Sequence, residues 1–303
     1  MVFAADWAGF AQQVVGGLAS GGIYAMLALA LVLIYRSTGV VNFAQGEMAM
    51  FTTFLAWALV QHGVGYWGAV ALTVLIAFAG GIALERVIIR PVERAPALTI
   101  AIVTLGLFFL LNGAAFWIWS PEQKYLRSAF STRPVEIAGV QISIQDLGVI
   151  AVAVAAATLL AVLFRFTKVG LAMRAVVANP DSSRLLGIRV GWMLALGWGL
   201  AAALGSVAGL LTASPSFDQS FMQPVLLYAF AGAILGGIDS ALGAVVGSLL
   251  LGVFLNVVTS LDTLGLGWTI DNDLRLPAAL AVILLVLLIR PSGLFGTAQV
   301  TRA

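Results

Sequence analysis

The sequence predicts an all-α integral membrane protein, a polytopic bundle of about eight or nine transmembrane helices, and three observations carry that reading. Of 303 residues, 61% are hydrophobic and only 9% charged, whereas soluble domains are about half apolar and about a quarter charged. The apolar residues come in uncharged runs such as Leu98 to Trp119 and Leu147 to Phe164, each close to the roughly 20 residues that carry a helix across a bilayer core. These runs lack the apolar and polar alternation of barrel strands. Because lipid offers no hydrogen-bond partners, the spanning segments are therefore helices.

In chain order, spans fall near 10–35, 43–60, 67–86, 97–119, 147–165 and 191–212, followed by a hydrophobic region at 225–261 and a last span at 274–290. The first of these reads as a span rather than a secretory signal. It has no basic leader, Asp6 is acidic, and the apolar run from Val14 to Tyr35 is too long. The region at 225–261 exceeds one helix and is broken at Gly236, Gly237, Asp239 and Ser240, so it reads as a short or re-entrant helix, a turn and a longer helix.

Cations in short loops mark the cytoplasmic side. The loop 165–191 holds Arg165, Lys168, Arg174, Arg184 and Arg189 against Asp181 alone, and is assigned inside. With the hairpin at 225–261, the same orientation places Arg36, Arg86, Arg90, Arg94, Arg290 and Arg302 inside, and Asp218, Asp262, Asp271 and Asp273 outside. The N-terminus is then outside and the C-terminus inside.

Several chemistries are excluded. The chain has no cysteine, so thiolate nucleophiles and thiolate metal sites are absent. It has no G-x-x-x-x-G-K-[ST] loop for a nucleotide phosphate, no H-E-x-x-H around its one histidine, His62, and no serine in G-x-S-x-G. No catalytic, cofactor or metal residues are assigned. The net charge of +2 gives no reason to expect nucleic acid.

Three groups of residues remain as candidates. Asn42-Phe-Ala-Gln45-Gly46-Glu47 opens the second span: Asn42 and Gln45 have capping-box spacing, and Glu47, about one turn inside, needs a partner or water. That partner could be Arg36 or Arg174. In the cationic loop, Asn179 suits an N-cap, Pro180 the first helical position, Asp181 the positive end of the dipole, and Gly187 a terminator. This predicts a short helix outside the bilayer with Leu185 and Leu186 partly exposed, the alternative being a helix that lies back on the bundle or at the headgroups. The third group is glycine: Gly205-xxx-Gly209, Gly232-xxx-Gly236 and Gly243-xxx-Gly247 suit close helix packing within the subunit, or a seam or broken helix beside a solute path.

These segments together resemble the permease subunits of bacterial branched-chain amino-acid ABC importers, in particular the shorter, high-affinity-system type. The match rests on Gly21-Gly-Ile-Tyr24-Ala-Met26 with Ala28-Leu29, on Gly39 to Glu47, on Arg174 to Ile188, on Ala233 to Gly243 including Gly236 and Gly237, and on Leu288 to Gly296. The second motif usually reads N-F-A-H-G-E, and Gln45 replaces its histidine; Ser182 and Ser183 stand where two alanines are frequent.

The resemblance implies one transmembrane permease domain over 1–303, in the inner membrane, with a coupling loop at 167–190. It also implies a second permease subunit, two cytoplasmic ATPase subunits and a periplasmic or surface solute-binding protein. Within the loop, Arg174, Ala178, Asn179, Asp181, Arg184, Leu185, Leu186, Gly187 and Ile188 would contact the ATPase. Asn42, Gln45, Gly46, Glu47, Tyr24, Gly236 and Gly237 are motif or pathway positions. Ser20, Asn112 and Asn256 are further polar groups within spans, either lining the path or bonding a neighbouring helix. The competing readings are an ion-coupled carrier using Glu47 or Asp239, and a purely structural membrane subunit.

Overall fold

The computed structural model describes residues 7–137, 139–260 and 274–296. It is helical almost throughout: α1 (Trp7–Thr38), α2 (Gln45–Gln61), α3 (Tyr66–Leu84), α4 (Ala97–Trp119), α5 (Ile144–Phe166), α6 (Lys168–Ala178), α7 (Pro180–Leu185), α8 (Val190–Thr212), α9 (Met222–Gly236), α10 (Ala241–Thr259) and α11 (Arg275–Ile289). After α3 the chain continues through a wide π turn, Glu85–Ile89, and a tight 3₁₀ turn, Arg90–Val92.

Six helical stretches among the described residues are long and apolar enough to cross a membrane: α1, Tyr66–Val92, α4, α5, α8 and α10. The chain is thus an all-α multi-pass membrane protein. The other expected spans are helical but shorter, with 17 residues in α2 and 15 in each of α9 and α11. The region 225–261 is indeed two helices, parted by a turn at Gly237, whose φ is +106°. Of the orientation residues, Asp262, Asp271, Asp273 and Arg302 lie outside the described residues.

The chain forms two compact units. One comprises Leu29–Arg127 and Ala155–Gln223. Here α3 and α8 lie backbone to backbone at reciprocal glycines: a Cβ on Gly81 would come within 2.5 Å of the Trp198 carbonyl oxygen, and one on Gly199 within 2.9 Å of that of Phe78. Gly209 likewise brings α8 onto α2, where an added Cβ would meet the Ala49 carbonyl oxygen at 2.8 Å. In lipid, where apolar surface gains nothing from avoiding water, such close approach and the dispersion it adds hold helices together. Phe54 fills the space beside them, stacked 5.5 Å from Trp119 and edge-on 4.9 Å from Phe217. A two-residue bridge joins β1 (Lys124–Tyr125) to β4 (Ser216–Phe217).

The other unit contains the chain up to Ala28, Ser128–Val154 and the part from Pro224 onward. Its α1 and α10 also cross at glycines: Cβ atoms on Gly17 and Gly21 would lie 2.6 Å from Val253 Cα and 2.8 Å from Leu249 Cα. Gly232, Gly236, Gly243 and Gly247 line the contact between α9 and α10. Packing within the subunit accounts for these four and for Gly209. An antiparallel hairpin, β2 (Pro134–Ile137) with β3 (Val140–Ser143), precedes α5 and corresponds to no element expected from the sequence. Its first strand is exposed throughout, so no burial pattern marks it.

Candidate functional site

The motif at Asn42 does not form a capping box. Helix α2 begins at Gln45 with Ala44 as its cap residue, so Asn42 lies two residues before the cap and out of reach of the first-turn amides. Its Oδ1 instead accepts from the Ala44 amide at 3.1 Å, while its Nδ2 donates to Gln45 Oε1 at 3.2 Å. Gln45 Nε2 in turn donates to the Ala201 carbonyl of α8 at 3.0 Å. Both side chains are fully buried, and Gly46 is buried beside them. They form a polar tie from the α1–α2 turn to α8, in which the buried amides find partners as such groups must.

Glu47 sits in the first turn of α2, not beyond it, and is 1% exposed. Its partners are not Arg36 or Arg174. Its Oε2 accepts from Asn112 Nδ2 on α4 at 3.2 Å and its Oε1 from Gln223 Nε2, at the start of α9, at 3.4 Å. The carboxylate thus joins three helices through two uncharged donors, and a negative group at a helix N-terminus also meets the favourable end of the dipole. Gln223 escapes a sequence reading because nothing local to it signals a partner so far away in the chain.

Replacing Glu47 by Leu would leave both donors without an acceptor, at about 1–3 kcal/mol each if they stay dry. Glu47→Gln keeps one acceptor oxygen but turns an NH₂ toward a second donor. We expect the thermal stability of the purified subunit to fall most in Glu47→Leu, less in Glu47→Gln and least in Glu47→Asp. A Leu variant as stable as the parent would show that the three-helix tie contributes nothing.

The cationic loop holds two helices rather than one. In α6, Thr167 is the cap residue and accepts from the Gly170 amide at 3.0 Å; Gly170, Met173 and Val176 face inward, while Arg174 and Ala178 are exposed. Next, Asn179 Oδ1 accepts from the Ser182 amide at 2.9 Å and opens α7, with Pro180 in its first turn. The buried Ser183 hydroxyl donates to the Asn179 carbonyl at 2.8 Å, and Arg184 pairs with Asp181 at 2.6 Å.

Gly187 ends the helix at φ +79°. Its amide donates to the Arg184 carbonyl and that of Ile188 to the Ser183 carbonyl, both at 3.0 Å. These two bonds are those of a Schellman termination, which a left-handed residue makes possible. Leu185 and Leu186 are 90% and 79% exposed. Two large apolar side chains therefore project from the end of α7, Leu185 as its last residue and Leu186 as its cap.

The third candidate group meets the C-terminal segment. The amides of Leu294 and Phe295 donate to the Leu235 and Gly236 carbonyls, each at 2.9 Å, and so satisfy the last turn of α9. Gly237 is needed for this approach: an added Cβ would come within 2.6 Å of the Gly296 amide nitrogen. Tyr24 on α1 packs its ring 5.2 Å from that of Tyr228 on α9. Asn256 is occupied structurally, donating to the Gln13 carbonyl at 2.9 Å and accepting from Arg275 at 3.0 Å. Ser20 is half-buried on α1.

A family model described as branched-chain amino acid transport system / permease component matches residues 13–290. The high-affinity branched-chain amino acid transport system permease protein LivH of Escherichia coli (strain K12) is 28% identical, with 97% of each chain covered. BraD, the corresponding permease protein of Pseudomonas aeruginosa, is 29% identical over 97% of this chain and 98% of its own. A probable LivH permease of Methanocaldococcus jannaschii is 27% identical over 93% and 91%.

Proposed function

The chain belongs to the permease-component family of branched-chain amino acid transport systems, and on that premise we propose that it forms, with a second permease subunit, the path by which an ABC importer carries a branched-chain or related amino acid across the inner membrane. Two cytoplasmic ATPase subunits supply the energy, and an external binding protein delivers the solute. The chain carries no phosphate-binding loop of its own.

The observation that supports this assembly best is α7. A capped and sharply terminated helix that carries the Asp181–Arg184 pair presents Leu185 and Leu186 at 90% and 79% exposure. An apolar pair with a charged rim is the usual composition of a docking surface between proteins. We assign residues 174–188 to the contact with the ATPase. Glu47, the carboxylate a carrier would use, is engaged by two uncharged donors, Asn112 and Gln223.

The test is vesicle uptake. Permease pair, ATPase and binding protein together are expected to accumulate a labelled branched-chain amino acid only when ATP is supplied. The chain alone, under an imposed proton or sodium gradient, is expected to accumulate none. Gradient-driven uptake by the chain alone would establish the carrier reading instead.

A further inference from the structure

Arg86 and Trp192 make a contact that neither the family motifs nor the candidate site uses. The π turn Glu85–Ile89 follows α3 directly, and such widened turns recur at functional sites. Here it sets the Arg86 guanidinium over the Trp192 ring, 3.8 Å from Cζ to the ring centroid. Trp192 stands in the first turn of α8, shortly after the residues that terminate α7.

Two features make this contact unusual. Arg86 Nε and Nη2 are buried with no hydrogen-bond acceptor among the described residues, and the buried Glu85 Oε2 is 3.8 Å from Nε, too far to accept. The cation, its side chain 28% exposed, is therefore held by the indole face on one side and by the charge of the Glu85 carboxylate on the other. Second, the start of α8 leaves room for a neighbouring arginine as well: an added Cβ on Gly191 would come within 3.2 Å of Arg90 Nη2.

Trp192 also walls an open groove of about 550 Å³ that Gly187, Ile188 and Arg189 line. The Trp192 amide donates to the Arg189 carbonyl at 3.0 Å, so a displacement of the segment that ends α7 would reach Trp192 through the backbone. From Trp192 it would pass to Arg86 and the π turn, and so to α3.

We propose that Arg86 and Trp192 are positioning residues that transmit movement of α7 to α3, so that ATP turnover and solute passage stay coupled. This rests on the assignment of α7 to the ATPase contact but makes a separate claim, about coupling after docking. In the full complex, Trp192→Leu is expected to retain the ATPase as the parent does, while the solute imported per ATP hydrolysed falls about five-fold or more, the lower range of a coupling interaction.

Trp192→Phe, which keeps an aromatic face, should restore most of the ratio. Arg86→Gln, which keeps much of the stem and removes the charge, should lower it to a similar extent as Trp192→Leu. The proposal is judged on Arg86→Gln should Trp192→Leu fail to assemble. An unchanged solute-to-ATP ratio in Arg86→Gln, a loss that Trp192→Phe does not relieve, or dissociation of the ATPase in Arg86→Gln would overturn it. Failure of the docking assignment itself reads out differently, as normal ATPase retention in Leu185→Asp.

Discussion

Leu185→Asp is expected to strip the ATPase from the purified permease complex and to abolish ATP-driven uptake while leaving the permease itself folded. The side chain is 90% exposed in the isolated subunit, so a carboxylate there is hydrated and the fold loses little. On docking the position must give up that water. A buried leucine gains about 1.5–3 kcal/mol from leaving water, and a carboxylate in the same apolar contact costs several kcal/mol more. Affinity should therefore fall by at least about a hundredfold, since about 1.4 kcal/mol is a factor of ten. Leu185→Ala removes only the favourable part and should weaken retention by less. The measurement is ATPase recovered per permease after affinity purification, with thermal stability of the permease as the control.

The second large effect concerns folding. A Cβ on Gly236 would land on the Gly243 carbonyl, and one on Gly243 would land on that of Gly236. The obstacle is backbone on both sides, which cannot rotate away as a side chain would. Gly236→Val should therefore force α9 and α10 apart, by more than the roughly 1–3 kcal/mol typical of core overpacking. We expect little or no full-length protein in the membrane. Gly80→Val is the matched control, because nothing lies within 4 Å of a Cβ added there, and its level should be close to the parent's. Equal accumulation of the two variants would show that α9 and α10 do not pack as described.

What the sequence discloses follows the range of each signal. The α7 cap is legible because Asn179, Pro180 and Gly187 act on backbone groups within a few residues, and Gly187 carries the positive φ its place demands. Hydrophobic runs mark the helices, since a bilayer leaves an apolar stretch little else to become. At Asn42 the spacing suits a capping box, but the helix starts three residues later, and Gln45 is drawn to Ala201 on another helix. The partners of Glu47 and the pairing of Arg86 with Trp192 depend on which helices adjoin, which no local pattern records. Nor does α6 stand out: its inward face is only Gly170, Met173 and Val176, interrupted by the cations that mark the segment as a loop.

Because the chain contains no cysteine, one introduced at Leu185 is a unique reactive site in this subunit, and cross-linking from it reports whether α7 meets the ATPase. With the complete importer in membranes, a short thiol-reactive cross-linker on Leu185→Cys is expected to capture the ATPase, and the yield should change when ATP is added. The same reagent on Glu136→Cys, in the exposed hairpin of the other unit, should capture none. Cross-linking of Glu136→Cys but not Leu185→Cys to the ATPase would contradict the assignment of α7 and the orientation on which it rests.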